Sequence, residues 1–124
     1  MTGAIVSEAN ALNRANATAG VYADNDGIYH SFARSKAAEL TTFDPTGAVS
    51  STPTGMNDGG AIAGYYVDGN QVQHGFVRAT DGTITSFDPK GSIDTFAYGI
   101  NDAGAITGHW VDSNYIDHGY LRTK

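Results

Sequence analysis

The sequence contains no cysteine and no long apolar run. The absence of cysteine excludes disulfides, thiolate metal sites and a cysteine nucleophile. No stretch approaches the roughly 18–20 apolar residues of a membrane helix, so we expect no membrane insertion. Residues 1–6 lack both the basic segment and the apolar segment of a signal peptide, and we therefore expect no signal peptide in this chain.

Basic residues are also scarce, with 7 Lys and Arg against 13 Asp and Glu and a formal net charge of −6. Binding to nucleic acid needs Lys and Arg to neutralise phosphates, so this balance argues against a nucleic-acid partner. Proline occurs only 3 times, whereas glycine occurs 16 times and charged residues make up 16% of the chain. This composition is typical of an ordered, turn-rich chain, and 124 residues fit one domain.

What the sequence does contain is a repeat with a period of 44 residues. Four types of residue return at that spacing: Asn13, Asn57 and Asn101; Gly20, Gly64 and Gly108; His30, His74 and His118; and Arg34, Arg78 and Arg122. The period divides the single repeat domain into units 1–44, 45–88 and 89–124. A fixed period of 20–50 residues indicates a solenoid, a propeller or another array of supersecondary units.

Each unit is predicted to contain short β-strands joined by tight turns. In the middle unit, residues 48–56, 61–67, 71–78 and 83–87 are rich in β-branched and aromatic residues or lie between Asn, Asp and Gly turn signals. Ser35–Glu39 has some helical propensity, but it occupies the position of a turn in the middle unit and is predicted to be a turn. No longer stretch has helical periodicity.

Four short antiparallel strands per 44 residues favour an all-β fold built from propeller-type blades, roughly three per chain. Other antiparallel repeat folds and a parallel β-helix are the alternatives. The third unit ends before a counterpart of residues 83–87, so it is predicted to lack its closing strand. Propellers of one chain have about 4–8 blades, so three blades leave two open ends.

The motifs of this repeat resemble a known family. Gly99–Gly108 reads Gly-Ile-Asn-Asp-x-Gly-x-Ile-x-Gly, and His74–Arg78 reads His-Gly-Phe-x-Arg. Together with the Asp turn between such segments, they resemble the bacterial extracellular repeats called the HAF family, named after a His-Ala-Phe triplet. In this chain the middle residue of the triplet is Ser or Gly. The resemblance covers essentially the whole chain and implies a secreted or cell-surface, propeller-like protein, with no catalytic residues to carry over.

The open ends predict self-assembly. Two chains that join head to tail would form a six-bladed ring, whereas a rotation that does not close would give a fibre. The segment Gly3–Ala9 is a candidate to pair into the short sheet at the end of a partner chain. The chain itself is therefore the expected partner.

The repeated histidines are predicted to be structural, with each ring joining a strand to a neighbouring turn. Equivalent positions in successive units are expected to lie too far apart to share a metal ion, and His109 is solitary in the sequence. The turn that begins at Asp24 is faintly similar to a calcium loop, but Asp and Asn also suit any tight turn. We expect no metal ion and no cofactor.

The aromatic residues Tyr22, Tyr66 and Trp110, one per unit, are the candidate ligand contacts. In small propeller lectins, aromatic and charged groups between blades bind sugars, and the three repeated arginines could supply the polar contact. The alternative is that these aromatics form core and the arginines pair with Asp. No nucleophile elbow, phosphate loop or defined carboxylate pair is present, so no catalytic residue is predicted.

The sequence therefore predicts a non-enzymatic extracellular or surface module that self-assembles as a scaffold or adhesion protein. The first alternative is a lectin-like protein with one weak glycan site per blade, strengthened by multivalency. The second alternative is a glycan hydrolase or lyase on a propeller.

Overall fold

In the computed structural model, which describes residues 3–124, the chain consists of β-strands joined by turns. The strands are β1 Val6–Leu12, β2 Thr18–Ala23, β3 Tyr29–Arg34, β4 Leu40–Phe43, β5 Ala48–Met56, β6 Ile62–Asp68, β7 Gln73–Arg78, β8 Ile84–Phe87, β9 Ser92–Ile100, β10 Ile106–Asp112 and β11 Asp117–Arg122. Within residues 3–124 no helix is long and apolar enough to cross a membrane.

The strands form three antiparallel sheets in chain order. The first sheet has the order β1-β2-β3-β4, the second β5-β6-β7-β8, and the third, with three strands, β9-β10-β11. All pairs are antiparallel neighbours in sequence, as tight turns of a few residues require. The prediction of an all-β chain built from antiparallel sheets is confirmed. Their arrangement as propeller blades remains a proposal.

The first turn of each sheet is held by its repeated asparagine. The side-chain oxygen of Asn57 accepts the amide of Ala61 at 2.8 Å, which closes the turn between β5 and β6. The turn places Gly60 at a φ of 90°, in the left-handed region that glycine adopts without steric cost. In the first sheet, Asn16 takes this position at 62°, which is the role that Asn fills best after Gly.

The segment Ser35–Glu39 is a turn, as predicted. The amide of Ser35 donates to the carbonyl of Glu39 at 2.9 Å, and Ala38 adopts a left-handed φ of 66°. Its counterpart in the second sheet is Gly82, at 93°. The helical propensity of the Ser-Lys-Ala-Ala-Glu stretch is overridden because the chain must reverse there to form β4.

The repeated glycines lie where two strands approach unusually closely. In β6, a Cβ atom added at Gly64 would overlap the carbonyl oxygen of Thr52 and lie 2.8 Å from Cα of Pro53. Added Cβ atoms at Gly20 and Gly108 would overlap the carbonyl oxygens of Glu8 and Phe96 in the same way. A register shift in the adjoining strand accompanies each site. Glycine is therefore required here for close backbone approach at a bulge.

Neighbouring sheets pack through equivalent residues. Between the first and second sheets, Ala19, Ala33 and Phe43 contact a cluster that includes Met56, Ile62 and Phe76. Between the second and third sheets, Ala63, Val77 and Phe87 contact the cluster of Ile100, Ile106 and Tyr120. Every residue of the second set is the counterpart, 44 positions later, of one in the first. The core therefore consists of the same interface formed twice, once between the first and second sheets and once between the second and third.

The N-terminal segment pairs within its own sheet. We expected Gly3–Ala9 to be available for the sheet of a partner chain. Instead, β1 begins at Val6 and pairs with β2 in its own sheet, and the amide of Ile5 donates to the carbonyl of Ala23 at 3.0 Å. Pairing with β2 therefore occupies one edge of this segment within its own chain, and its pairing into the sheet of a partner chain stays a prediction.

Candidate functional site

Each repeated histidine bonds to the aspartate that begins the turn before its strand. His74 Nε2 lies 3.0 Å from Oδ2 of Asp68, and its Nδ1 lies 2.7 Å from Oδ2 of Asp88. His30 repeats both contacts, with Asp24 at 3.1 Å and Asp44 at 2.7 Å. His118 makes the first contact, with Asp112 at 2.8 Å. The rings thus join strand to turn, and in two sheets they also reach the end of the fourth strand.

The turn aspartates are fully engaged. Oδ1 of Asp68 accepts the amides of Asn70 and Val72, and Oδ2 faces the histidine. Asp24 uses its oxygens in the same way, so its likeness to a calcium loop reflects an Asx turn. Among the residues that the structure describes, no three His, Asp or Glu side chains form a group that could hold a metal ion.

The paired carboxylates favour protonated histidine. Burial of His74 disfavours its charged form, but the hydrogen bonds to Asp68 and Asp88 outweigh burial and raise the pKa of His74 above its usual 6.5. For His30, the hydrogen bond to Asp44 is the main cause of a raised pKa. The hydrogen bond from His74 is the main cause of a lowered pKa of Asp68. A neutral imidazole has one N–H, so only the protonated ring donates to both carboxylates.

These shifts predict that the fold loses stability as the pH rises. Because the pKa of His74 is raised in the folded state, its stabilisation is complete below 6.5 and is lost as the pH rises through the folded pKa. We expect the urea midpoint to fall as the pH rises above 6.5, and His74→Gln to reduce that fall. Unfolding can be followed by the fluorescence of Trp110. Asp88→Asn should flatten the profile similarly, and an unchanged profile in both variants would contradict this assignment.

The aromatic candidates lie against the histidines. Tyr22 packs on His30 with 5.2 Å between ring centroids, and Trp110 stacks on His118 at 4.3 Å. Tyr66 packs on His74 at 5.1 Å, is only 7% exposed, and its hydroxyl bonds to Ser86 at 2.8 Å. Tyr66 is therefore core, whereas Tyr22 and Trp110 are half-buried.

The arginines lie at the other end of the sheets. In the strand register, Arg78 pairs with Ile62 whereas His74 pairs with Tyr66, four residues further along β6. The guanidinium of Arg78 lies 4.9 Å from the ring centroid of Phe43 in the preceding sheet. Arg122 makes the same contact with Phe87 at 4.7 Å, and Arg34 is exposed. The structure therefore does not bring each aromatic residue to its arginine, and two arginines serve as cation–π contacts between sheets.

Two clefts follow the same repeat. A cleft of about 240 Å³ lies between the first and second sheets and is lined by residues that include Arg34, Met56 and Arg78. A cleft of about 220 Å³ lies between the second and third sheets, and its lining includes the counterparts Ile100 and Arg122. Both clefts lie at the ends of sheet interfaces. Each is formed by the packing of two sheets, so the cleft repeats because the interface repeats.

A ladder of asparagine side chains also connects the sheets. Nδ2 of Asn13 donates to the carbonyl of Asn57, and Nδ2 of Asn57 donates to the carbonyl of Asn101, both at 3.1 Å. Beside them, the backbone amides of Arg14 and Asp58 donate to the carboxylates of Asp58 and Asp102 at 3.0 and 2.8 Å. Asn13 and Asn57 are buried, whereas Asn101 is exposed. Each asparagine therefore closes its own turn and can also bond to the sheet that follows.

The first sheet exposes residues whose counterparts are covered in the other sheets. We call Ser7, Ala9, Leu12 and Leu40 the first-sheet face. Leu12 is 64% exposed and Leu40 42%, whereas their counterparts Met56 and Ile84 pack in the sheet interface. Ser7 and Ala9 are exposed although the matching residues of β5 and β9 are buried.

The third sheet exposes the opposite half of the same interface. We call Asn101, Thr107 and Leu121 the third-sheet face. Leu121 is 65% exposed and Thr107 is exposed, whereas their counterparts Val77 and Ala63 pack against the third sheet. The two ends of the molecule therefore carry the two halves of the interface that its interior makes twice.

No protein-family model, curated protein or solved structure matches this chain. The resemblance to HAF repeats thus depends on the sequence motifs alone.

Sequence reasoning missed an aromatic cluster on the third sheet. His109, expected to be solitary, stacks on Phe96 at 4.6 Å and on Tyr98 at 5.5 Å, and Tyr65 meets Phe96 edge-on at 5.1 Å. These residues break the repeat, so the period gave no signal for them. Aromatic residues at alternate positions of β9, on one face of the strand, were the available signal.

Proposed function

We propose that the chain is a non-enzymatic, self-assembling repeat module of the propeller type, in which the first-sheet face of one copy packs on the third-sheet face of the next. The main support for this proposal is that these two faces are the exposed halves of an interface that forms twice within the chain. A head-to-tail contact of this kind is heterologous, so it produces a closed ring or a fibre. A six-bladed ring of two copies is the closed form.

Chemical complementarity supports this arrangement. In the internal interfaces, aliphatic side chains of one sheet meet Ala and Val of the preceding sheet, and an Asn amide donates across. At the junction of two copies, Leu12 and Leu40 would meet Thr107 and Leu121, and the amide of Asn101 would reach the backbone carbonyl of Asn13. The junction of two copies differs from the internal interfaces at one position, where Arg14 replaces the aspartate that the other units have as Asp58 and Asp102.

A role as scaffold or adhesion protein outside the cell fits the resemblance to HAF repeats. A non-enzymatic role is supported by the state of two of the three repeated histidines. Both ring nitrogens of His30 and His74 are held by carboxylates, so neither ring has a free nitrogen to exchange a proton with a substrate.

Carbohydrate binding is the second candidate. The stacked rings of Tyr98 and His109 support it, since Tyr98 is half exposed and its face is aligned with a second ring. The original lectin-like hypothesis has weaker support, because the aromatics at the Asp turns and the arginines lie at opposite ends of their strands. The carboxylate pairs around His30 and His74 are each held by the histidine between them, so they give a hydrolase or lyase no support.

Two variants that each disable one face test the assembly. We expect wild-type protein to sediment above its monomer mass of 13.0 kDa at micromolar concentration. Leu12→Arg and Leu121→Arg should each weaken self-association by at least about 100-fold, since an unpaired buried charge costs several kcal/mol. Each variant keeps one intact face, so a mixture of the two should form a dimer and nothing larger.

The mixing experiment distinguishes head-to-tail contact from a symmetric contact of one face with itself. In a symmetric dimer, one variant alone would associate like wild type and mixing would add nothing. Ile28→Arg, an exposed residue at the β2–β3 turn outside both faces, is the control with the same charge change. A wild-type protein that stays monomeric at high micromolar concentration would overturn the proposal.

A further inference from the structure

We infer that the free edge of β11 is a binding site for an extended peptide of the form Ile/Leu-Thr-Thr/Ser-Phe-Asp-Pro, which would add as a fourth strand to the third sheet. This inference concerns the edge of β11 and stands without self-assembly, although the added phenylalanine would lie on the same side of the sheet as Leu121 of the third-sheet face. Strand addition of this type takes affinity from backbone hydrogen bonds and specificity from the pockets that receive alternate side chains.

The other two sheets show what the edge accepts. In the first sheet β4 pairs with β3, and in the second β8 pairs with β7. Both added strands have the same pattern, Leu-Thr-Thr-Phe-Asp-Pro at 40–45 and Ile-Thr-Ser-Phe-Asp-Pro at 84–89. Within residues 3–124, β11 pairs only with β10, and its outer backbone groups are open to such a strand.

The first specificity contact is a seat for phenylalanine at Gly119. In the second sheet Phe87 pairs with Gly75, and a Cβ added at Gly75 would lie 2.5 Å from the Phe87 ring. The residue opposite this phenylalanine is small in both four-stranded sheets, Gly75 opposite Phe87 and Ser31 opposite Phe43. A Cβ added at the counterpart Gly119 meets no described atom within 4 Å, so a phenylalanine can lie there as Phe87 lies on Gly75.

The second contact is a carboxylate on His118. In both four-stranded sheets the aspartate that follows the phenylalanine bonds to the histidine Nδ1 at 2.7 Å. His118 already has the same orientation, because its Nε2 bonds to Asp112 at 2.8 Å as the other histidines bond to their turn aspartates. Its Nδ1 is thereby directed to the position that the Asp of an added strand occupies.

The third contact is a pocket for the aliphatic residue that begins the peptide. In the second sheet, Ile84 pairs with Arg78 and packs in the cluster of Phe43 and Phe76. The counterpart on the third sheet is a cleft of about 310 Å³ whose lining includes Phe87, Tyr120 and Arg122. The peptide would therefore place Ile opposite Arg122 and Phe opposite Gly119, on opposite faces of the sheet.

The site can be tested with a peptide that has the sequence of residues 81–91, titrated into the whole protein. Trp110 is the single tryptophan and stacks on His118, so its fluorescence reports on binding at this edge. We expect a saturable change in Trp110 emission and slower hydrogen exchange at the amides of β11. Peptides with Phe87→Ala or Asp88→Asn should bind at least about 10-fold more weakly, since each removes one specificity contact.

The matched protein variants are Gly119→Leu and Gly69→Leu. Neither glycine has a positive φ, and a Cβ at either site meets no described atom within 4 Å, so both variants should fold. Gly119→Leu blocks the phenylalanine seat and should reduce affinity by at least about 10-fold, whereas Gly69→Leu should not. The inference would be overturned if millimolar peptide left Trp110 emission unchanged. It would also be overturned if Gly119→Leu bound the peptide as tightly as the wild-type protein does, or if the altered peptides bound as tightly as the original peptide.

The titration should be repeated in Leu12→Arg, which disables the first-sheet face and so prevents copies from covering each other. This separates the two proposals. If the protein never self-associates but binds the peptide, the strand-site inference holds and the assembly proposal is overturned. If the protein self-associates through its faces but does not bind the peptide, only the strand-site inference is overturned.

Discussion

Gly64→Ala is expected to destabilise the fold by at least about 3 kcal/mol, because the new methyl group would overlap the backbone of the adjacent strand. The carbonyl oxygen of Thr52 occupies the space of the methyl group, and Cε1 of Phe76 lies 2.8 Å from it. A flexible side chain could move aside, but a backbone carbonyl within a ladder cannot. Relief therefore requires β5 and β6 to separate at the bulge, which also loosens the buried ring of Phe76.

The matched control is Gly69→Ala in the turn that follows β6. A Cβ there meets no described atom within 4 Å and the backbone φ is not in the left-handed region. Its effect should stay within about 0.5 kcal/mol. Both variants are measured by urea unfolding with Trp110 fluorescence and circular dichroism. Similar small effects in the two variants would mean that the strands at Gly64 are not held as closely as the structure places them.

The 44-residue period made the strands and turns predictable, because the local signals are repeated along the chain. Predicted strands at 48–56, 61–67, 71–78 and 83–87 lie within about two residues of β5 to β8. The left-handed positions were also marked by composition, since Gly60, Gly82 and Gly104 stand at turns where only small or Asx residues are easily accommodated. Strand alternation and turn chemistry are local, and local properties can be predicted from a single sequence.

The contacts between sheets could not be predicted in the same way. The aspartates of the repeated Phe-Asp pair were visible as a pattern, but their bond to a histidine 14 residues earlier depends on the path of β4 and β8. The arginines were assigned to sugars or to Asp, yet Arg78 and Arg122 lie over phenylalanines of the preceding sheet. Such contacts depend on how one sheet is placed on another, which the spacing of residues within a unit does not determine.

The close approach at the repeated glycines lies between these two cases. Repetition of Gly20, Gly64 and Gly108 indicated a structural need, but glycine serves both left-handed turns and crowded strands. All three lie within strands and have no positive φ, so crowding by the adjacent carbonyl is the reason. The bulge that creates the crowding involves β1, β5 and β9, whose own sequences share little beyond small polar residues.

Phe76→Ala is expected to cost about 3–5 kcal/mol, the usual range for removal of a fully buried aromatic ring. Phe76 has no exposed surface, meets Phe43 edge-on at 6.1 Å and lies in the cluster that joins the first two sheets. A domain of this size has a total stability of about 5–15 kcal/mol, so the variant should be close to unfolding in water. Urea unfolding at low micromolar concentration measures the loss.

Tyr120→Ala is the informative comparison, because Tyr120 occupies the same position in the third sheet. It repeats the edge-on contact, with Phe87 at 6.1 Å, and its hydroxyl bonds to the carbonyl of Phe96 at 3.0 Å. However, Tyr120 is only half-buried, since β11 has no fourth strand beside it among the described residues. We expect its loss to be smaller than that of Phe76 by at least about 1 kcal/mol. Equal losses would mean that the fourth strand adds little to the burial of this position, and the β11 edge would then have little to gain from a peptide.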